Sequence, residues 1–271
     1  MKIANLILSL LVLALFVAAC QPATESNEPQ KAPQMAENTP AEGFNVVASH
    51  IKAMAIADEV MEAMGGRAAW DNTRHICWTF FGRRDLIWDK WTGNVRIDDG
   101  ETTYLVNIND ETGSVYENGK ALNISQDSLK TRMRQAKSIW INDSYWMVMP
   151  FKLKDSGVTL KYVGEEATQA GEAADKLQLT FEGVGRTPQN KYFVWVDKNS
   201  RLVTQWAYYP TADAEEPRFV NPWKNYQTYG SIKLSDDREM AKMEDVMVFD
   251  SLPESVYTEP AKPDLQALKM Q

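Results

Sequence analysis

The sequence predicts a mainly β protein of the α+β class, in which a curved antiparallel sheet is covered by an N-terminal helix and a helical insertion. Three observations predict this class. Short segments that alternate apolar and polar residues follow one another between residues 75 and 250, separated by turn sequences. A stripe of apolar residues at helical spacing precedes them, and one helix-forming segment interrupts them. With 271 residues, the chain is long enough to bury a large core.

The first 43 residues are predicted to precede the folded domain. Residues 1–19 contain an apolar stretch from Leu6 to Phe16 that is typical of a secretory signal peptide and too short to span a bilayer. It ends at Val17-Ala18-Ala19-Cys20, which resembles the lipobox of bacterial lipoproteins. The resemblance implies acyl chains on Cys20 and therefore a membrane anchor. Residues 20–43 are rich in proline and polar residues, which predicts a disordered tether after the lipidated cysteine.

The folded domain is predicted to span residues 44–271 and to begin with an amphipathic helix. Apolar residues recur at spacings of three and four from Val47 to Met64, and Gly65-Gly66 is typical of a helix C-terminus. Period-two segments then predict the strands of one meandering sheet. These strands are residues 75–80, 86–91, 94–98, 103–108, 114–117, 158–164, 176–182, 191–197, 202–209, 225–233 and 244–250.

One helical segment is predicted in the middle of the meander. Ser125 is a typical N-cap, and residues 126–140 contain helix formers without glycine or proline. A run of large apolar side chains follows between Ser144 and Phe151. Because this segment must cover apolar surface, we expect it either to plug the concave face of the sheet or to form a lid over a cavity there.

Composition argues against several classes of function. The net charge of −8 disfavours a nucleic-acid partner, which needs a basic face. Two histidines and the lack of recognisable catalytic motifs provide no basis for a catalytic residue, a metal site or a cofactor. With Cys20 acylated, Cys77 has no intrachain partner, and we expect it to be a small buried core residue.

The order of these elements resembles the LolA, LolB and LppX group of lipoprotein and lipid carriers. Further similarity to bacterial lipoproteins of that group lies at residues 65–70 (GGRAAW), 82–83 (GR), 88–89 (WD) and 252–257 (LPESVY). The resemblance covers about residues 46–260. It implies an incomplete β-barrel, an eleven-stranded curved sheet whose open side is covered by helices, around a hydrophobic cavity that takes acyl chains.

The predicted binding site is the concave face of this sheet. Residues two apart on a strand share a face, so aromatic and apolar residues at such spacings are expected to line a hydrophobic cavity together with the helical insertion. The predicted cavity residues are Trp78, Phe80, Trp146, Met149, Leu179, Phe181, Phe193, Trp195, Trp206 and Tyr208. Their ligand is expected to be an acyl chain, a lipid or a lipidated protein.

Two other functions remain open from the sequence. Aromatic residues exposed at the surface stack on sugars, which would make the chain a carbohydrate-binding lipoprotein. The candidates for that surface are Trp88, Trp91, Trp223, Tyr226 and Tyr229. An enzyme whose site residues are distant in sequence is the second alternative. For all three functions the lipobox resemblance implies a location in the bacterial cell envelope, with the outer membrane favoured.

Overall fold

The computed structural model describes residues 38–270. The predicted signal peptide, the lipidation site Cys20 and most of the predicted tether therefore lie outside the described residues. Within the described part, no helix is long and apolar enough to cross a membrane. The last residues before position 44 already contact the domain, because the Ala41 amide donates to the Lys154 carbonyl and the Gly157 amide donates to the Gly43 carbonyl.

The described strands pair antiparallel in three hydrogen-bonded sheets. The first sheet has the order β14-β1-β2-β3-β4-β5-β6, and the second has the order β11-β10-β9-β8-β7. The third is the hairpin β12-β13. The strands are β1 (His75–Phe80), β2 (Arg84–Asp89), β3 (Asn94–Asp99), β4 (Thr102–Asn107), β5 (Thr112–Glu117), β6 (Lys120–Ala121), β7 (Val158–Ala167), β8 (Ala173–Phe181), β9 (Lys191–Asp197), β10 (Val203–Tyr209), β11 (Phe219–Pro222), β12 (Lys224–Tyr229), β13 (Ile232–Asp237) and β14 (Met243–Phe249).

These sheets do not close on themselves, so the prediction of a mainly antiparallel β fold with an open, incomplete barrel and covering helices is confirmed. Several details differ from the prediction, and β6 and β11 lie outside every predicted strand. The strands do not form one meandering sheet but three, because a long helix separates β6 from β7 and β14 pairs with β1 instead of extending the β12-β13 hairpin. The segment predicted as a single strand at residues 225–233 contains most of β12, the turn at Gly230 and the start of β13, and Tyr229 pairs with Ile232 across that turn.

Five helices accompany the sheets in the described residues. They are α1 (Ile51–Ala63), α2 (Arg67–Asn72), α3 (Gln126–Val148), α4 (Ser255–Thr258) and α5 (Leu265–Lys269). Ser125 caps α3 as predicted, since its hydroxyl accepts from the Ser128 amide. Gly65, which follows α1, has a φ of 117°, and a Cβ there would lie 2.3 Å from the Ser231 carbonyl. This close approach explains why glycine follows the helix.

The main core lies between the inner faces of the sheets and helices α1 to α3. The alternation predicted for β1 is confirmed, since Ile76, Trp78 and Phe80 point into this core. Helix α3 is longer than predicted and continues through Met147 and Val148, which are buried. Burial of its last two turns therefore outweighs the weak helix propensity of the Asn-Asp pair that precedes them.

The outer face of the first sheet is covered by the C-terminal segment. Cys77 packs there in a second apolar cluster, with partly buried side chains that include Leu252, Leu265 and Leu268. Cys77 is 1% exposed, so the predicted buried core residue is confirmed, and this burial raises the pKa of its thiol. The guanidinium of Arg96 is fully buried and donates to the carbonyls of Glu259 at 2.7 Å and Pro260 at 2.8 Å. These hydrogen bonds connect the C-terminal segment to β3.

The histidine of β1 predicts a pH dependence of stability. His75 is buried, its Nδ1 lies 2.8 Å from the Tyr257 hydroxyl, and burial lowers its pKa below the ordinary 6.5. As the pH falls through 6.5 towards that lower value, the unfolded chain binds a proton that the folded chain does not. We therefore expect the free energy of unfolding to fall between pH 7.5 and pH 5 (roughly the range in which a histidine titrates), and less so in His75→Phe. Urea unfolding at both pH values measures this, and equal losses in the two proteins would contradict it.

Candidate functional site

A group of aromatic side chains lies where α3 covers the inner face of strands β8 to β11. We call it the aromatic cluster. Its ring centroids lie 4.7–6.3 Å from those of their neighbours along a connected path. Its members are Phe81, Tyr145, Trp146, Phe181, Tyr192, Trp206, Tyr208, Phe219 and Trp223.

Trp206 occupies the centre of the aromatic cluster. Its ring centroid lies 4.7 Å from that of Trp146, 5.3 Å from that of Tyr192 and 5.6 Å from that of Trp223. Strand register brings these residues together, because Tyr208 on β10 pairs with Tyr192 on β9 and with Phe219 on β11. Three adjacent strands thus present aromatic rings in one row, and the last turns of α3 place a further ring over them.

The aromatic cluster extends from the core to the protein surface. Trp206 and Trp223 are buried, whereas the other seven members are half-buried. Connected apolar surface that reaches solvent is typical of a site for an apolar ligand or partner.

Several polar atoms of the aromatic cluster have no hydrogen-bond partner among the described residues. They include the indole nitrogens of Trp206 and Trp223 and the hydroxyl of Tyr145. Burial raises the pKa of Tyr145 well above its ordinary value, so the hydroxyl keeps its proton at neutral pH. Because an indole nitrogen only donates, the interior of the aromatic cluster offers donors without matching acceptors.

Four of the predicted cavity residues belong to the aromatic cluster, namely Trp146, Phe181, Trp206 and Tyr208. Four others, Trp78, Phe80, Leu179 and Met149, are buried in the main core on the same inner side. These eight residues therefore lie on the predicted side of the sheets.

The prediction is wrong about the face occupied by Phe193 and Trp195. Both lie on the outer face of the second sheet, where they pack with Ala207 and Tyr209 in a separate cluster. The Lys176 ammonium lies 4.7 Å from each of their ring centroids. Both faces of β9 carry apolar residues, and the face that points inward is the one with Tyr192. Alternation groups these residues correctly but does not reveal which group is internal.

Five members of the aromatic cluster were missing from the predicted site: Phe81, Tyr145, Tyr192, Phe219 and Trp223. Tyr192 directly precedes Phe193 on β9 and therefore lies on the opposite face of that strand. The same period-two pattern contains both residues. Phe219 lies on β11, a four-residue strand whose sequence has no alternating pattern of useful length. The contacts of Phe81 and Trp223 are made across distant parts of the chain, and the sequence carries no signal for them.

The residues of the carbohydrate alternative do not form one exposed surface. Trp88 and Trp223 are buried, and Tyr226 and Tyr229 are half-buried. Trp91 is 60% exposed, with the Arg74 guanidinium 5.1 Å from its ring centroid.

A charged groove of about 420 Å³ lies elsewhere, between α1 and the turn after β9. Arg201 in this groove pairs with Glu59 and, at 2.9 Å, with Asp175. The charges of Arg201, Glu59 and Asp175 are therefore paired with one another. Among residues 38–270, no group of three or more histidine, cysteine or acidic side chains is arranged to hold a metal ion.

No protein-family model matches the chain, and no curated protein matches it at the sequence level. Solved structures similar to it include a DUF1329 family protein from Desulfovibrio piger, with 13% identity and a TM-score of 0.42 over 76% of this chain and 96% of that chain.

Two further similar structures have 11% identity. A LolA superfamily protein from Nitrosomonas europaea has a TM-score of 0.33 over 76% of this chain and 97% of that chain. A putative outer membrane lipoprotein-sorting protein domain from Vibrio parahaemolyticus has a TM-score of 0.34 over 80% of this chain and 98% of that chain. Solved structures similar to this chain thus include one from the LolA superfamily, the group that the order of its predicted elements resembles.

Proposed function

We propose that this protein is a lipoprotein of the bacterial cell envelope that binds a hydrophobic ligand in its incomplete barrel, and that it takes part in lipid or lipoprotein transport without being an enzyme. The ligand is an acyl chain, presented by a lipid or by a lipidated protein. The aromatic cluster is the observation that carries the proposal, because it connects buried Trp206 to half-buried rings at the surface.

The chemistry of the aromatic cluster supports an acyl ligand. Rings contributed by α3 and by several strands provide contact from more than one side, which suits a flexible chain of methylene groups. Burying each methylene contributes about 0.8 kcal/mol, so affinity increases with the length of the chain.

Phe219 allows a direct test of the ligand site. Its ring centroid lies 5.2 Å from that of Trp146 and 5.7 Å from that of Trp206, so Phe219→Asp places a charge inside the aromatic cluster. An unpaired charge in apolar surroundings is costly, and we expect binding of a fluorescent sixteen-carbon fatty acid to weaken at least about tenfold. The measurement is a fluorescence titration on the chain from residue 20 with Cys20→Ser, which we call the Cys20→Ser protein.

Val220→Asp is the matched control. Val220 is the next residue of the same edge strand, is also partly buried, and packs on the outer face with the cluster of Trp195. Both variants need unfolding curves, so that loss of structure is recognised. Failure of the Cys20→Ser protein to bind the probe, or equal weakening in two folded variants, would refute the proposed site.

The membrane anchor is tested at Cys20. In the full chain we expect Cys20→Ser to move the protein from the membrane fraction to the soluble fraction, because the acyl chains would have no sulfur to attach to. Cys77→Ser removes the buried thiol instead and should leave the protein in the membrane fraction. Fractionation followed by immunodetection measures both. Membrane retention of Cys20→Ser would contradict the lipid anchor.

A further inference from the structure

A buried cation without a paired carboxylate lies next to the aromatic cluster. Arg238 follows β13 and is only 1% exposed, and its guanidinium lies 3.6 Å from the ring centroid of Trp223. Among the described residues, no carboxylate oxygen lies within 4.0 Å of its nitrogens. A buried arginine without a carboxylate partner is rare, because the desolvation of its charge is not offset.

The hydrogen bonds of Arg238 leave one donor free. Nη2 donates to the Trp146 carbonyl at 2.6 Å and to the Ser235 carbonyl at 3.2 Å. Nη1 donates to the Ser235 hydroxyl at 2.8 Å and to the Asp237 carbonyl at 3.1 Å. Nε has no partner among the described residues. The four acceptors are neutral, so they orient the guanidinium without neutralising it. Burial lowers the pKa of Arg238 to about 10, which leaves it charged at neutral pH.

Further unpaired groups surround this cation. The indole nitrogens of Trp223 and Trp206, the Tyr145 hydroxyl and the Thr204 hydroxyl are buried and have no partner among the described residues. They are neighbours, because the Trp206 ring lies 5.6 Å from that of Trp223 and 6.1 Å from that of Tyr145, and the Trp223 amide donates to the Thr204 carbonyl. Each of these free groups can donate a hydrogen bond, and the two indole nitrogens and the Arg238 Nε can only donate.

We propose that Arg238 and these neighbouring donors bind the carboxylate of a long-chain fatty acid, whose acyl chain lies along the aromatic cluster. This inference rests on the proposed function and specifies its ligand. The Arg238 site lacks acceptor oxygens and a negative charge, and a carboxylate supplies both. Trp206 and Trp223 connect the two parts, because their rings belong to the aromatic cluster while their indole nitrogens face no acceptor.

The test compares two ligands that differ only at the head. Binding of hexadecanoate and of hexadecanol to the Cys20→Ser protein is measured by displacement of the same fluorescent fatty acid. We expect hexadecanoate to bind at least about tenfold more tightly, and Arg238→Met to bring the ratio of the two affinities close to one. Equal binding of hexadecanoate and hexadecanol by the Cys20→Ser protein without further substitutions would overturn this inference and leave the proposed function intact. Binding of neither ligand would overturn both.

Two further variants guard against misfolding and nonspecific attraction. Trp223→Phe keeps a ring but removes the indole donor, and it should lower the acid-to-alcohol ratio several-fold even where Arg238→Met does not fold. Arg218→Met removes an exposed arginine that lies just before β11 and should keep the ratio of the unmodified site. Acetate, added as a competitor at millimolar concentration, should not displace the probe if the acyl chain is needed. A ratio unchanged in Trp223→Phe, or displacement by acetate, would contradict the proposed fatty-acid site.

Discussion

Replacing Asp143 by alanine is expected to destabilise the folded protein by about 3 kcal/mol. Asp143 is completely buried on α3 and accepts two hydrogen bonds from Arg84 on β2, at 2.9 and 3.0 Å. The alanine variant leaves the guanidinium in a largely buried position without this partner. Removing one member of a buried ion pair typically costs about 3–5 kcal/mol. We expect the lower end of this range, because the Asp99 carboxylate lies 3.9 Å from the Arg84 guanidinium and remains as a second partner.

Urea unfolding measures this effect, and a second ion pair of α3 provides the control. Lys137 pairs with Glu111 at 3.0 Å, but both side chains are about one-third exposed. We therefore expect Lys137→Ala to change the free energy of unfolding by less than about 1 kcal/mol. The double variant Arg84→Met/Asp143→Leu should be more stable than Asp143→Ala, because it buries no unpaired charge. Equal effects of Asp143→Ala and Lys137→Ala would contradict the structural role of the buried pair.

Trp206→Ala is expected to lower the free energy of unfolding by about 3–5 kcal/mol. Trp206 is 1% exposed and contacts rings from β9, α3 and the segment before β12, so the substitution removes a large apolar side chain and leaves a space with little freedom to collapse. It should also reduce acyl binding, since the centre of the aromatic cluster is lost.

Trp91→Ala is the matched control for this substitution. Trp91 is mostly exposed and its indole nitrogen donates to the Asp71 carbonyl at 3.0 Å, so we expect a loss of about 1 kcal/mol or less. Urea unfolding of the two variants gives the comparison. Similar losses would mean that the aromatic cluster does not stabilise the junction between α3 and the second sheet.

Two side-chain contacts explain how α3 is held. Asp143 joins it to the first sheet through Arg84, and Trp146 joins it to the second sheet through Trp206. The sequence predicts a helix after Ser125 that covers the concave face, but it carries no signal for these two partners, which lie 59 and 60 residues away along the chain. Whether the helix moves as a lid remains a prediction, and hydrogen exchange at residues 126–150 with and without a fatty acid tests it.

Local sequence patterns alone establish much of the fold. Period-two alternation identifies β1 with its inward Trp78 and Phe80, and the serine cap marks the first residue of α3. These patterns are informative because side chains repeat every 2 residues along a strand and every 3.6 residues along a helix. A few consecutive residues are therefore enough to indicate which element they form. The same patterns group the aromatic residues of β9 and β10 by face.

Tertiary packing decides which of those faces becomes the site. On β9, Phe193 and Trp195 are as apolar as Tyr192 and Val194, so their sequence does not distinguish inside from outside. Tertiary contacts with α3 and with the rest of the second sheet make that choice, and tertiary contacts likewise place Trp223 beside Trp206 and Arg238 beside Trp223. Such contacts join residues far apart in the chain, and the free energy that selects them comes from burial of the whole surface rather than from any local repeat.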